Sequence, residues 1–195
     1  MNNMVEIKNI MLCGVGGQGT ILASKILSTC LVDAGYDVKM AEIHGMAQRG
    51  GSVTTQVRYG KKVYSPIIGN GSADILVSFE AMEALRYLKQ LKPDGHVVEN
   101  KYMMPTSTTL AGVENYPENV IDIVTSKANT KVIDATKIAE DLGNKKAMNV
   151  VLLGSLVKLM GLEDLKWKDA IEKCVKPAFI ELNIKALREG IKVVQ

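Results

Sequence analysis

Apolar residues follow two different periods along this chain. Apolar runs at Ile10–Cys13 and Ile75–Val77 predict strands over Lys8–Cys13 and Asp74–Phe79, buried on both faces. Between them, Leu22, Ala23, Ile26, Leu27, Cys30, Leu31 and Ala34 recur at three- and four-residue spacing. That spacing predicts a core-facing helix, with Gly35 as its stop. Asp37–Ile43 reads as a second strand. Ser52–Tyr59 sets Val53, Thr55, Val57 and Tyr59 against polar neighbours, the alternation of a half-exposed strand. Gly60-Lys61 then predicts a turn, with Lys62–Ser65 closing a hairpin before Pro66.

Further on, the pattern predicts a helix over Glu80–Leu91, a turn at Pro93-Asp94-Gly95 and a strand at His96–Glu99. Asn100–Tyr116 reads as loop, followed by a helix over Pro117–Ala128, a strand at Lys131–Asp134 and a helix over Ala135–Leu142. The last third is helical: Asn149–Met160, Lys166–Cys174 and Pro177–Glu189. Asn149 suits an N-cap and Gly161 a C-terminal stop, while Gly154 allows close helix packing. A strand, helix and strand at the start form a βαβ unit, which builds parallel sheet. The expected fold is therefore α/β: a three-layer, Rossmann-like open sheet, mostly parallel, with an inserted β-hairpin and a helical C-terminal third. No linker or repeat divides residues 1–195, so a single domain is expected.

Composition narrows the function. A net charge of +3 with acids and bases interleaved, and only six Tyr, two Phe and one Trp, leaves no footprint for nucleic acid. Cys13, Cys30 and Cys174 form no C-x-x-C pair, which argues for a reducing cytoplasm and against an iron–sulfur or structural zinc site in this chain. No signal peptide and no membrane span are expected.

The candidate chemistry lies in two glycine-rich stretches. Gly14-Val15-Gly16-Gly17-Gln18-Gly19 follows the first strand, opens the first helix and fits the dinucleotide fingerprint G-x-G-x-x-G. Glu42, ending the second strand, stands where an acid grips a ribose. The plainer alternative is that these glycines only let helix and sheet pack closely. Gln18 puts a polar side chain into the turn and favours neither reading. The second stretch, His44-Gly45-Met46-Ala47-Gln48-Arg49-Gly50-Gly51, is a loop after the carboxyl end of a strand, the edge where ligands bind in open α/β sheets. Arg49, with Gly50 and Gly51 beside it, suits a carboxylate, a phosphate or a subunit contact. His44 reads first as a hydrogen-bonding loop residue and only second as a catalyst, and His96 reads as structural. Neither histidine has a partner at metal-ligand spacing, and Cys13 has no nearby base, so no metal site and no catalytic residue is assigned.

The wording of these stretches carries a resemblance. G-V-G-G-Q-G at Gly14–Gly19, E-I-H-G-M-A-Q-R-G-G-S-V at Glu42–Val53 and V-Y-S-P at Val63–Pro66 resemble the 2-oxoacid:ferredoxin oxidoreductases. The likeness is to their γ-type domain, as in the β subunit of the indolepyruvate type. A-D-I-L-V-S-F-E-A-M-E-A-L-R-Y-L at Ala73–Leu88 and N-V-V-L-L-G at Asn149–Gly154 extend it over essentially the whole chain. The resemblance implies oxidative decarboxylation of a 2-oxoacid, arylpyruvates for the indolepyruvate type, giving an acyl-CoA and reduced ferredoxin. It places thiamine diphosphate and [4Fe–4S] clusters in a large α subunit, so this chain would complete a hetero-oligomer without carrying a cofactor. Gly14, Gly16, Gly17, Gln18, Gly19, His44, Gln48, Arg49, Gly50 and Gly51 then become contacts to the α subunit or to CoA. A γ subunit of a pyruvate or 2-oxoglutarate enzyme is the alternative within the family. A free-standing NAD-binding protein and a ligand-free interaction module are the alternatives outside it.

Overall fold

The computed structural model of the chain describes residues 6–45, 50–105 and 107–194. Six strands form one sheet in the order β2-β3-β1-β4-β5-β6. They are β1 (Lys8–Val15), β2 (Asp37–His44), β3 (Ser52–Gly60), β4 (Ala73–Ser78), β5 (Leu91–Asn100) and β6 (Asn129–Ile133). β1, β4, β5 and β6 pair in parallel, while β3 runs antiparallel to both β1 and β2. Five of the six strands thus point one way, and the expected Rossmann-like, mostly parallel sheet is present.

Helices cover both faces. On one lie α1 (Thr20–Asp33), α5 (Ala135–Asp141), α6 (Met148–Leu159), α7 (Trp167–Cys174) and α8 (Ile180–Lys192), over Ile10, Leu12, Val57, Ile75, Val77 and Val98. On the other lie α2 (Ala81–Tyr87) and α4 (Val120–Lys127), over Met11, Cys13, Leu76 and Val97. A short α3 (Ser107–Leu110) falls in the stretch expected to be loop. Successive strand residues go alternately to the two cores, which is why the runs read as continuously apolar.

The inserted hairpin exists, but its strands are not those expected. β3 pairs along its length with β2, from Asp37↔Gly60 to His44↔Val53, and Lys62–Ser65 is not a strand. The hairpin wedges β3 between β1 and β2, so the opening βαβ strands point the same way without touching. Nor is Ser52–Tyr59 half-exposed: Thr54, Thr55 and Gln56 are all buried. Its polar face is covered by the following chain rather than by water. Gln56 Oε1 accepts from the Ile68 amide at 2.6 Å, and Arg58 donates to the Ser65 carbonyl at 2.8 Å and to Asn9 Oδ1 at 2.7 Å. An alternating pattern cannot distinguish a wet face from one hydrogen-bonded to a loop.

Other departures are local. α2 stops at Tyr87 and a single tight turn over Leu88–Gln90 leads into β5, so Pro93-Asp94-Gly95 lies inside a strand. The β4–β5 register shifts between Ala73 and Ile75, and this irregularity accommodates the proline. β6 begins at Asn129, two residues before the expected start. Asn149 is not an N-cap, because α6 starts at Met148 and Asn149 points into the molecule instead.

Gly154 does bring two helices together. A Cβ there would lie 2.2 Å from the Leu187 carbonyl oxygen on α8, and one at Gly190 would lie 1.9 Å from that of Val151 on α6. Both obstacles are backbone, so the helices would have to separate. Gly154→Ala is expected to cost about 1–3 kcal/mol, or roughly 2–10 °C in Tm for a chain of this size. Gly69→Ala, with only open space or ordinary contact around it, should stay within about 0.5 kcal/mol. Thermal unfolding of the two variants checks the contrast.

Candidate functional site

The two glycine-rich stretches meet at the carboxyl edge of the sheet. The Gly16 amide donates to the Gly51 carbonyl at 2.9 Å, and the Gly50 amide reaches the Gly16 carbonyl at 3.4 Å. The turn after β1 is thereby joined to the loop that enters β3. Gln48 and Arg49 lie outside the described residues. His44 ends β2, exposed and two strands from the turn, with Nδ1 3.4 Å from its own neighbour's carbonyl. It is not brought to the turn.

Within the turn, Gly14, Gly17 and Gly19 each have a reason internal to the protein. Gln18 folds back over it: its Oε1 accepts from the Val15 amide at 2.7 Å and its Nε2 donates to the Phe79 carbonyl at 3.2 Å. A Cβ on Gly14 would strike Gln18 Oε1 at 2.7 Å and Phe79 Cβ at 2.8 Å. Gly19 has φ +83°, and its missing Cβ leaves room for Asn149, whose Nδ2 donates to the Gly19 carbonyl at 3.1 Å. Gly17, at φ +102°, makes the bend itself. Glu42 is exposed on the edge strand, with β3 between it and β1. A ribose-gripping acid belongs on the strand beside β1, so the dinucleotide arrangement is not assembled.

A cleft of about 600 Å³ opens beside this turn, walled by Val15, Gly50, Ser52, Glu80, Arg86 and Tyr116 among others. Its floor holds buried acids that the sequence patterns did not single out. Glu80 caps α2 by accepting from the Glu83 amide at 3.1 Å, and its other oxygen accepts from Tyr116 Oη at 2.6 Å and the Met104 amide at 2.9 Å. Glu83 accepts from Ser52 Oγ and, at 3.0 Å, from Arg86 Nε. Beneath them, Cys13, Ser78 and Glu99 stand opposite one another on β1, β4 and β5. Burial drives the Cys13 thiol upward, leaving it neutral and unsuited to nucleophilic work. Burial first, and the neighbouring Glu80 second, push Glu99 up to about 8. The available signal was positional: Glu80 and Glu99 each directly follow an apolar strand run, Ile75–Phe79 and Val97-Val98.

Among the described residues no three His, Cys, Asp or Glu side chains are grouped to hold a metal ion. The three thiols sit on β1, α1 and α7, an arrangement that does not fit an iron–sulfur cluster. No helix among the described residues is long and apolar enough to cross a membrane.

With this geometry in place, similarity decides the family. The profile described as "Pyruvate ferredoxin/flavodoxin oxidoreductase" matches residues 9–193. The chain belongs to that family. It is 39% identical over 193 residues to the indolepyruvate oxidoreductase subunit IorB of Pyrococcus horikoshii, covering 96% of each chain. The protein of the same name from Archaeoglobus fulgidus is 41% identical over 191 residues, covering 93% of this chain and 92% of that one. A 2-oxoglutarate synthase subunit KorC of Methanothermobacter thermautotrophicus is 28% identical over 98% of this chain and 97% of its own length. Among solved structures, the gamma subunit of a keto/oxoacid ferredoxin oxidoreductase from Geobacter sulfurreducens superposes with a TM-score of 0.69 at 25% identity. That match covers 96% of this chain and 98% of the other. In this family member the glycine turn is therefore a packing element of a γ-type fold.

Gln18→Ala would strand the Val15 amide and remove one of the two side-chain donors on the Phe79 carbonyl. A loss of about 1–3 kcal/mol is expected, together with faster hydrogen exchange at Val15 and in the turn. Chemical denaturation and amide exchange check it; an unchanged midpoint would show the fold-back to be incidental.

Proposed function

We propose that the chain is the non-cofactor-carrying subunit of an indolepyruvate:ferredoxin oxidoreductase. In that complex an arylpyruvate is oxidatively decarboxylated, its acyl group leaves as an aryl-acetyl-CoA, and the electrons pass to ferredoxin. Thiamine diphosphate and [4Fe–4S] clusters belong, on this reading, to a large α subunit of a cytoplasmic hetero-oligomer. The observation that carries it is the 39–41% identity over nearly the full length of two archaeal indolepyruvate oxidoreductase subunits, against 28% for the 2-oxoglutarate type.

The structure supports a particular face for the partner. The turn Gly14–Gly19 and the loop residues Gly50 and Gly51 share the carboxyl edge with the cleft. Arg49, within that loop by sequence, is assigned to the α subunit or to an anionic group such as a CoA phosphate. On this reading the chain's own part is to close and shape the complex, in keeping with a Cys13 thiol buried and neutral and with Glu80 and Glu83 occupied by internal donors.

Reconstitution with the candidate α subunit tests the reading. The assay compares arylpyruvate, pyruvate and 2-oxoglutarate with a ferredoxin-type acceptor, and arylpyruvate should be turned over fastest. No turnover of arylpyruvate, or micromolar binding of NADH by this chain alone, would overturn it. Arg49→Ala should weaken assembly or raise the KM for CoA while leaving the melting temperature of the isolated chain unchanged. Unaltered assembly together with unaltered CoA kinetics would refute that role for Arg49.

A further inference from the structure

Glu99 is fully buried, and neither of its carboxylate oxygens has a hydrogen-bond partner among the described residues. Glu80 is its opposite: also buried, it accepts three hydrogen bonds, from Tyr116 Oη, the Met104 amide and the Glu83 amide. Three donors suit an ionised carboxylate, whereas an unpartnered buried one suits a protonated acid. The other groups around Glu99 do not supply a counter-charge. From β1 comes the neutral Cys13, and from β4 the Ser78 hydroxyl. On α2, Glu83 is already taken by Ser52 and Arg86. α4 turns Val120 and Val124 inward and leaves Asp122 and Lys127 exposed. From the cleft side comes the Tyr116 phenol, which burial and Glu80 keep protonated.

Two of the three donors on Glu80, the Met104 amide and Tyr116 Oη, belong to two arms of chain, residues 101–105 and 111–117. Apart from Tyr116, these residues are exposed, Tyr102, Met103, Met104 and Val113 among them. Further ties of these arms include the Ala81 amide to the Tyr102 carbonyl at 2.9 Å, the Met82 amide to Tyr116 Oη at 3.2 Å and, at the foot of the first arm, the Lys101 amide to the Ile133 carbonyl at 2.8 Å. The arms bury little apolar surface, which puts them at the low-stability end of the fold, where local opening is least costly.

We propose that the two arms are a proton-controlled flap over the cleft, seated on Glu80 while Glu99 is protonated and released when Glu99 ionises. Opening admits water to both carboxyls, which lets Glu99 return from about 8 toward its ordinary value of 4.5. The closed form therefore binds the proton more tightly. Its advantage is complete below the ordinary value, shrinks as pH rises, and is gone once pH passes the raised value. Between those limits the opening constant rises by up to roughly tenfold per pH unit. The proposal concerns this chain alone and does not rest on the substrate or on the partner subunit.

Hydrogen–deuterium exchange on the full chain between pH 5.5 and 9, corrected for intrinsic rates, tests it. Peptides spanning 101–105 and 111–117 should show an opening constant rising about fiftyfold from pH 6 to 8 and levelling above. Strand β4 should show no such trend. Glu99→Gln should flatten the dependence, while Tyr116→Phe should raise opening at every pH and keep the slope. A flat profile in the unmodified chain, or a slope that survives Glu99→Gln, would overturn the flap. Should Glu99→Gln not fold, a carbon-detected NMR titration of Glu99 in the unmodified chain decides instead. A midpoint near 8 supports the proposal, and one near 4.5 refutes it.

Discussion

The carboxyl edge of the sheet hangs on the backbone of Phe79. Its carbonyl accepts from Gln18 Nε2 and from Asn100 Nδ2, each at 3.2 Å, and its amide donates to the Cys13 carbonyl at 2.8 Å. The main chain of one residue thus binds the end of β1, the glycine turn and the end of β5. Asn100 carries the tie onward, accepting from the Ala135 amide at 3.1 Å where α5 begins. Since these groups are buried or nearly so, a missing member leaves another without water or partner, and the edge behaves as a unit. The same Cβ of Phe79 occupies the space that any side chain on Gly14 would need. Packing and hydrogen bonding therefore impose the first glycine before any ligand is considered.

Much of this was legible in the order of residues. Unbroken apolar runs identified β1 and β4, three- and four-residue spacing identified α1, and Gly154 foretold the close helix pair. What misled was the assumption that polar residues on a strand face water. In β3 they face the chain between Val63 and Asn70, whose own backbone needed partners, and Gln56 and Arg58 supply them. The same assumption assigned Asn149 to a helix end, when its amide serves the Gly19 carbonyl 130 residues earlier in the chain. Such partners are set by tertiary contact and leave no local signature. The glycine fingerprint shows the complementary error: its spacing is right, but β3 occupies the position beside β1 that a ribose-binding strand would take.

The acids under the cleft illustrate how a fold can hold charge where it is costly. Glu80 and Glu83 are supplied with donors from the strand below, from their own helix and from the chain crossing above. Glu99, one strand away, is left to apolar walls and to a neighbouring anion. A fold that needed only a filled core would place a leucine there, with no desolvation to offset. One edge of the sheet thus holds a saturated carboxylate and a bare one in opposite surroundings.

The pairing of Gly16 with Gly50 and Gly51 has a bearing on how such proteins can be recombined. Two segments more than 30 residues apart in sequence share a short stretch of main-chain bonding, so the shape of one sets the shape of the other. A chimera that takes the turn from one relative and the loop from another would join two halves cut to different patterns. Transplanted together, they would carry their mutual fit with them, which makes the pair, rather than either motif, the smallest portable unit of this edge.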